Sequence, residues 1–251
     1  DDNGSNSGSV YVYDLTKDPG ATGFERKITA SDAQSSDHFG ISLALDGSTL
    51  VVGAYLDDDN ESDSGSVYVY DLTKDPGATG FERKITASDG QSNDFFGYTV
   101  ALEGSTLVVG SIYDEDNGPD SGSVYVYDLT LTSSDAGFER KLTASDGAAN
   151  DNFGISVALE GSTLVVGSMY DDDNGSNSGS VYVYDLTKES GATGFERKIT
   201  ASDGATYDFF GFSVALDGST LVVGAYQDDD NGPNSGSVYV YDLTLTSSDA
   251  G

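Results

Sequence analysis

The sequence predicts an all-β protein built from a tandem repeat. The phrase Ser-Val-Tyr-Val-Tyr-Asp recurs along the chain with a constant spacing of 57 residues, as from Val10 to Val67. A strict period of this length is typical of repeat proteins, whose units bury their apolar faces against neighbouring units. Each period also contains four short β-type runs separated by turns rich in Gly and Asp. The 251 residues hold four full periods, and residues 229–251 repeat the pattern of residues 1–23.

The first run in the period, Ser66–Leu72, is apolar on both faces. Val67 and Val69 point to one side of a strand, and Tyr68 and Tyr70 point to the other. A strand with two apolar faces is covered on both sides, which a simple two-layer sandwich does not provide. The pattern therefore favours sheets stacked face to face, as between the blades of a β-propeller.

The second run, Phe81–Ala87, alternates Phe, Arg and Ile with Glu, Lys and Thr. Charged side chains on a strand protect an exposed sheet edge, so this run is predicted to be the outermost strand of its sheet. In every repeat, the basic residues lie in the run that matches this one or in the loop before it, and the chain has no other basic residues. Edge protection explains them better than a basic binding surface does.

The third and fourth runs form a hairpin. They are Tyr98–Leu102 and Thr106–Gly110, and they flank the turn residues Glu103 and Gly104. An acidic loop, residues 114–122, then leads into the next Ser-Val-Tyr-Val-Tyr-Asp phrase. The fold class predicted is therefore a β-propeller of four-stranded antiparallel blades, one blade per repeat, forming a single domain over residues 1–251.

The charge restricts the partners. With 43 acidic residues against 11 basic ones, the net charge is −32, which repels nucleic acid and anionic lipid surfaces and attracts cations. There is no Cys, no apolar run long enough to cross a membrane, and no recognisable signal peptide. We expect no nucleic-acid partner, no membrane insertion, and an extracellular or cell-surface location.

The acidic loops predict a calcium site in each repeat. They place carboxylate oxygens at alternate positions, the arrangement by which calcium loops collect hard oxygen ligands. The loop before each Phe-Gly pair adds one more Asp at the same end of the sheet. The candidate ligands are Asp57, Asp59, Asp94, Asp114, Asp116, Asp151, Asp171, Asp173, Asp208, Asp228 and Asp230. The alternative is that these residues only form soluble turns.

Three motifs recur in every copy: the Phe-Gly pairs, the Leu-Val-Val-Gly strands and the Gly-Ser-Val-Tyr-Val-Tyr-Asp phrases. On these residues the repeat resembles the FG-GAP family, the blade unit of the propeller in integrin α-subunits and in many secreted bacterial proteins. The resemblance implies a propeller of seven blades. A chain of this length is then expected to be a segment of a longer propeller or array, and a small four-bladed ring is the alternative.

Two departures from the family pattern matter. The Pro of Gly-Ala-Pro is replaced, for example by Tyr55 after Gly53-Ala54. The calcium loop of integrin-like blades lies in the first hairpin, where this chain has only short turns such as Glu103-Gly104. The calcium prediction therefore rests on the chemistry of the acidic loops themselves.

The function expected is that of an extracellular, non-enzymatic adhesion or structural protein that self-assembles through open sheet edges. The alternative is a carbohydrate- or cell-surface-protein-binding propeller that uses the acidic loops; a hydrolase is a weaker third. The only His, His38, has no counterpart at the matching positions of the other repeats and is expected on a surface loop.

Overall fold

The computed structural model describes residues 3–133, 135 and 138–245, and this part of the chain contains β-strands and no α-helix. The strands are short and follow one another in a regular order. They are β1 (Val10–Tyr13), β2 (Glu25–Ile28), β3 (Leu43–Asp46), β4 (Thr49–Ala54), β5 (Ser66–Asp71), β6 (Glu82–Ile85), β7 (Phe96–Glu103), β8 (Thr106–Ser111), β9 (Ser123–Asp128), β10 (Glu139–Leu142), β11 (Ser156–Glu160), β12 (Thr163–Ser168), β13 (Ser180–Asp185), β14 (Glu196–Ile199), β15 (Phe210–Asp217), β16 (Thr220–Ala225) and β17 (Ser237–Asp242).

The chain folds as two compact units, Asp1–Tyr98 and Thr99–Gly251. The first unit contains the two-stranded sheet β1-β2 and the four-stranded sheet β3-β4-β5-β6, and β7 begins at its end. The second unit contains the remainder of the sheet β7-β8-β9-β10, the four-stranded sheet β11-β12-β13-β14 and the three-stranded sheet β15-β16-β17.

Each four-stranded sheet is an antiparallel meander, as the sequence predicts. The Glu-Arg-Lys strands β6, β10 and β14 are the last strands in their sheets, so the prediction that they are outermost is confirmed. The acidic loops lead into the Ser-Val-Tyr-Val-Tyr-Asp strands, as predicted, and in each sheet they connect the second strand to the third. Closure of the sheets into a propeller stays a prediction.

The core lies between successive sheets. In the second unit, Val165 and Val181 are fully buried on one face of the sheet β11–β14 and pack with Phe210, Leu221 and Val223 of the next sheet. The Tyr residues of β13 point to the opposite face and are also fully buried. Both faces of β13, the Ser-Val-Tyr-Val-Tyr-Asp strand and the third in its sheet, are therefore covered, which explains why that strand has no polar face.

The Phe-Gly pair joins each sheet to its neighbours. The Phe210 ring is fully buried and meets the rings of Tyr239 and Tyr241 edge to face, with centroids 5.3 and 6.1 Å apart. The backbone N–H of Phe210 donates to the Ser178 carbonyl at 2.9 Å. Gly211 has a φ of 89°, a conformation that favours Gly, and its carbonyl accepts a 2.7 Å hydrogen bond from the Ser156 hydroxyl of the preceding sheet.

Gly167 permits this close approach. A Cβ atom on Gly167 would collide with the Gly211 carbonyl oxygen and with the Ser156 hydroxyl. Gly167 lies in β12 directly opposite Val181 and Ser156, in the middle of the sheet. Gly53 and Gly110, which end the two preceding Leu-Val-Val-Gly runs, make the same close approach, so these three Gly residues are required by the contact between sheets rather than by their own backbone conformation.

We predict that Gly167→Ala destabilises the protein by about 1–3 kcal/mol, because the added methyl group forces the sheets apart. The matched control is Gly161→Asn. Gly161 has a φ of 58°, which Asn tolerates, and a Cβ atom added there would have no neighbour within 4 Å. Chemical denaturation measures both variants. Equal stability of the two would contradict the close-approach explanation.

Candidate functional site: lysine-centred carboxylate clusters

The acidic loop after β4 folds back toward the sheet at Asp57. The Asp57 N–H donates to the Ala54 carbonyl at 3.1 Å, and the Asp57 carbonyl accepts from the Gly65 N–H at 3.0 Å. These bonds close the loop at both ends and direct the Asp57 side chain inward. Asp57 is only 3% exposed, which is unusual for a carboxylate in a loop of this composition.

The Asp57 carboxylate is held by three groups of its own repeat. The Ser66 hydroxyl and the Asp59 backbone N–H donate to Oδ1 at 3.0 and 3.2 Å. The Tyr68 hydroxyl donates to Oδ2 at 2.7 Å. Ser66 and Tyr68 belong to the third strand, so the carboxylate ties the acidic loop to the strand that follows it.

Lys84 supplies the counter-charge. It lies on β6 directly opposite Tyr68, and its Nζ atom is 5.1 Å from the centre of the Tyr68 ring. The same Nζ is 2.9 Å from Asp57 Oδ2 and 3.0 Å from Asp32 Oδ2, and it also contacts Asp59. Burial lowers the pKa of Lys84, but its hydrogen bonds to the three carboxylates outweigh burial, and the pKa is raised above its ordinary value.

The second unit repeats this arrangement twice. Lys141 Nζ lies 2.7 Å from Asp114 and 2.8 Å from Asp116. Lys198 Nζ lies 2.7 Å from Asp171, 2.7 Å from Asp173 and 2.9 Å from Asp146. We call the groups around Lys84, Lys141 and Lys198 the first, second and third lysine clusters.

The fourth repeat forms the same group without a lysine among the described residues. The Tyr239 hydroxyl lies 2.7 Å from Asp228 Oδ2 and 2.9 Å from Asp203 Oδ1, as in the lysine clusters. Repulsion by Asp228 and Asp203 raises the pKa of the nearby Asp230. We call Asp203, Asp228, Asp230 and Tyr239 the fourth carboxylate cluster.

A second set of buried carboxylates lies in the loops before the Phe-Gly pairs. Its members are at most 5% exposed, and each accepts a backbone N–H bond of 2.6–2.7 Å from the residue three positions earlier; they are Asp37, Asp94, Asp151 and Asp208. Burial, with a smaller effect of Asp171 and Asp172, raises the pKa of Asp151 to about 6. Burial also raises the pKa values of Asp37 and Asp208.

The structure thus places all eleven predicted site residues in two kinds of position. The pairs Asp57/Asp59, Asp114/Asp116, Asp171/Asp173 and Asp228/Asp230 form the clusters, and Asp94, Asp151 and Asp208 belong to the second set. Sequence reasoning missed Asp32, Asp146, the Tyr hydroxyls and the lysines. The available signal was the constant separation of Lys84, Lys141 and Lys198 from an Asp in the acidic loop of the same repeat.

The lysine clusters do not fit a calcium ion as they are folded. Asp32, Asp57 and Asp59 bring oxygen atoms within 4.8 Å of one another, close enough to share an ion. The Lys84 ammonium group, however, already contacts all three carboxylates, and a divalent cation there would meet a positive charge. Both Asp57 oxygens also accept bonds from Ser66 and Tyr68. The calcium prediction itself stays a prediction.

His38 is half-buried rather than a fully exposed loop residue. Its Nδ1 lies 3.2 Å from the Tyr55 hydroxyl, and the two rings are 5.4 Å apart. Tyr55 in turn packs edge to face against Phe95. Phe95 occupies the matching position in the next repeat. His38 therefore serves as an aromatic packing contact at a position that holds an aromatic ring in the next repeat as well.

An exposed aromatic patch interrupts the regularity of the repeat in the second unit. Tyr207, Phe212 and Tyr226 are 54%, 44% and 45% exposed. Tyr226 stacks on Phe209 with centroids 5.3 Å apart, and Phe212 lies 4.6 Å from Tyr226. In the preceding repeat the residues matching Tyr207, Phe212 and Tyr226 are Asn, Ile and Met. We call Tyr207, Phe209, Phe212 and Tyr226 the aromatic patch.

These features define a tandem-repeat, all-β protein whose sheets are joined by Phe-Gly pairs and carboxylate clusters. A family model described as the FG-GAP repeat matches four times, over residues 22–70, 79–127, 137–184 and 193–241. The chain therefore belongs to the FG-GAP repeat family, as the sequence motifs indicate.

Other comparisons add little to this assignment. No curated protein matches the chain. Among solved structures, it is similar to the computationally designed Ika4 protein, with 16% sequence identity and a TM-score of 0.46 over 81% of this chain and 90% of that chain. Among the described residues, no helix has the length and hydropathy needed to cross a membrane.

We predict that Lys198→Met destabilises the protein by about 2–4 kcal/mol, because Asp171, with a side chain only 4% exposed, loses its counter-charge. The matched control is Lys188→Met. The Lys188–Asp185 pair has side-chain exposures of 40% and 37%, so its loss should cost less than about 1 kcal/mol. Denaturant unfolding checks both variants.

Two further measurements sharpen this test. Adding Asp171→Asn to Lys198→Met removes the unpaired charge and should recover part of the loss. Calcium should raise the melting temperature of the unaltered chain no more than magnesium does, since lysine already supplies the cation. A rise specific to calcium, or equal stability of the two lysine variants, would contradict the account.

We predict that Asp151→Asn stabilises the protein by about 1–2 kcal/mol at pH 7.5. The folded pKa of Asp151, about 6, lies above the ordinary value of 3.8, so folding favours the protonated form. That contribution is fully present below about pH 4 and is lost as the pH rises through about 6. The stability difference between variant and parent should therefore disappear on acidification from pH 7.5 to 4.

The control for the pH profile is Asp185→Asn. Hydrogen bonds from Thr187 lower the pKa of Asp185, so its ionised form favours folding above the ordinary pKa and the variant should gain nothing at pH 7.5. A pH-independent effect of Asp151→Asn would contradict the assignment of a raised pKa to Asp151.

Proposed function

We propose that the chain is an extracellular, non-enzymatic structural or adhesion repeat protein. The observation that carries the proposal is the way in which the acidic loops use their carboxylates. In the three lysine clusters, each buried loop carboxylate is bonded to a Ser, a Tyr and a Lys of the repeat that contains it. Groups that recur in this manner and satisfy one another support a structural role better than a reactive one.

The electrostatics point in the same direction. A catalytic carboxylate is generally paired with a group whose pKa is adjusted to exchange a proton near neutral pH. The lysines of the first and third clusters have raised pKa values and remain charged. Asp151 has a pKa of about 6, but the same buried position occurs in each repeat, and the Ser168 hydroxyl beside it donates to its backbone carbonyl rather than to its carboxylate. These properties favour a scaffold over an enzyme.

An extracellular setting agrees with the net charge of −32, because high ionic strength shortens the range of the repulsion within such a chain. The FG-GAP repeat family, to which the chain belongs, supports the same location. Calcium, expected from the composition of the loops, is left to the melting comparison described above, since the folded lysine clusters do not fit it.

The aromatic patch favours a second candidate function, carbohydrate binding. Exposed aromatic rings stack on the apolar faces of sugars, and neighbouring carboxylates accept hydrogen bonds from sugar hydroxyls. Tyr207 and Phe209 flank Asp208 in the sequence, but Asp208 is buried and its carboxylate accepts the Ala205 N–H, so the exposed rings are what support this candidate. This patch differs from the preceding repeat, and such a difference is what a specific site requires. The matching residues in the preceding repeat are Asn150, Asn152, Ile155 and Met169.

One experiment separates the two functions. Beads coated with the protein are tested for attachment to cell layers and to a glycan array, beside the double variant Tyr207→Ala/Phe212→Ala. A structural or adhesion protein should attach to cells equally with and without the patch. Glycan binding that is lost in the double variant would favour the second candidate. Absence of attachment to cells would contradict the adhesion role.

A further inference from the structure

The acidic loop before β5, residues 57–65, differs from its counterparts at one residue. The fifth position of the acidic loop holds Glu61 here, whereas the later repeats have Gly118, Gly175 and Gly232. The three Gly residues have φ values of 126°, 134° and 133°, a backbone conformation that favours Gly. Glu61 does not have a positive φ, so the chain follows a different path through its loop.

The hydrogen bonds of the loops show this difference. In the third lysine cluster's loop, the Gly175 N–H donates to the Asp172 carbonyl at 3.1 Å, which closes a tight turn. In the loop before β5, the Glu61 N–H donates instead to the Ser64 hydroxyl at 3.3 Å. The side chain of Glu61 therefore replaces one turn of the acidic loop by a more open one.

This turn determines the surroundings of the Asn that precedes it. In the second unit, the side-chain nitrogens of Asn117 and Asn174 donate to the carbonyls of Ala144 and Ala201 at 3.2 and 3.1 Å. Asn60 occupies the same position in the loop before β5 and is exposed. Its side chain makes no hydrogen bond within the described part of the chain. The Nδ2 atom of Asn60 is therefore accessible, whereas those of Asn117 and Asn174 are engaged.

Asn60 also begins a sequence that accepts N-linked glycans. Residues 60–62 read Asn-Glu-Ser, and Asn-x-Ser with x other than Pro is the acceptor sequence for glycosylation in surface loops of secreted proteins. Glu61 and Ser62 are exposed as well, so the whole acceptor sequence lies at the surface. Residues 174–176, Asn-Gly-Ser, form a second acceptor sequence in the same position of a later repeat. The chain thus offers a matched pair that differs in the hydrogen bonding of the Asn side chain.

We propose that Asn60 is a site of N-linked glycosylation and that the fold protects Asn174 from the same modification. The site rests on the extracellular location proposed above, because glycosylated Asn residues belong to secreted proteins. A glycan at Asn60 adds a bulky, solubilising group to the loop before β5. The buried Asp57 at the start of that loop points away from the acceptor, into the first lysine cluster.

The reaction requires a lipid-linked oligosaccharide diphosphate as the glycan donor. The Nδ2 atom of Asn60 forms a bond to the anomeric carbon of the first sugar, and the bond from that carbon to the phosphate oxygen breaks. The lipid diphosphate leaves with the electron pair of the broken bond, and the amide gives one proton to a base of the transferase. At Asn174 the hydrogen bond to the Ala201 carbonyl has to break before this nitrogen can react.

Glycosylation of the folded protein tests the proposal. The purified chain is incubated with an oligosaccharyltransferase and its lipid-linked donor, and the tryptic peptides are analysed by mass spectrometry. Asn60 lies in the peptide 28–74 and Asn174 in the peptide 142–188, so the two sites are measured separately. Each protein also carries Asn3→Gln, which removes a further acceptor sequence at residues 3–5. We expect the initial rate at Asn60 to exceed that at Asn174 by about fivefold, the effect of one hydrogen bond that has to open.

Two reciprocal substitutions test the cause of this difference. Glu61→Gly keeps the acceptor sequence and permits the tight turn, so the Asn60 side chain should bond to the Ala87 carbonyl, and the rate at Asn60 should fall about fivefold. Gly175→Glu keeps the other acceptor sequence and prevents its turn, so the rate at Asn174 should rise. A melting curve shows whether each variant is folded, and the result for Glu61→Gly is decisive if Gly175→Glu does not fold.

Two controls complete the assay. A synthetic peptide of residues 55–67 shows that the transferase accepts the sequence, and Ser62→Ala should abolish transfer to Asn60. Equal rates at Asn60 and Asn174, no transfer to Asn60 when the peptide is glycosylated, or a rate at Asn60 that Glu61→Gly leaves unchanged would overturn the proposal. The assay involves neither secretion nor cells, so the glycosylation site and the adhesion role fail independently.

Discussion

In each lysine cluster, a lysine ammonium group on the outermost strand contacts aspartates of the acidic loop, and in the first and third clusters it also contacts an aspartate of a further loop. In the first cluster these segments are the loop that holds Asp32, the acidic loop that holds Asp57 and Asp59, and the outermost strand that holds Lys84. A chain with 43 acidic and 11 basic residues has few positive charges to place. Three of them lie where the buried carboxylates are most concentrated, and there they offset the cost of burying those carboxylates.

The rest of the repeat positions this contact. Pairing of Tyr68 with Lys84 across two strands sets the lysine over the Tyr ring and fixes the direction of its side chain. The Tyr hydroxyl then reaches the same carboxylates. The Phe-Gly pair and the Gly of the preceding strand allow neighbouring sheets to approach closely enough to bury these rings. Packing and charge therefore depend on the same few residues in each repeat.

Much of the architecture could be predicted from the sequence because it follows from periodicity. The strands, the outermost Glu-Arg-Lys strand and the position of the acidic loop were all visible in alternating side chains and turn residues. The sequence did not show that lysine is the cation in contact with the acidic loops. Asp57 and Lys84 are 27 residues apart, with β5 between them, and only the cross-strand register shows that Lys84 reaches the carboxylate that composition alone assigns to calcium. Burial was equally hidden: nothing in the local sequence distinguishes the buried Asp57 from the exposed Asp58.

The central claim is that lysine is the structural cation of the acidic loops. Nitrogen-15 NMR of the lysine side chains tests it most directly, because a buried, hydrogen-bonded ammonium group exchanges its protons slowly and gives an observable signal. Signals from Lys84 and Lys198 that persist to a pH above the ordinary lysine pKa, and that calcium leaves unchanged, are the predicted result. Rapid exchange with an ordinary pKa for both lysines, or their displacement by calcium, would contradict the account.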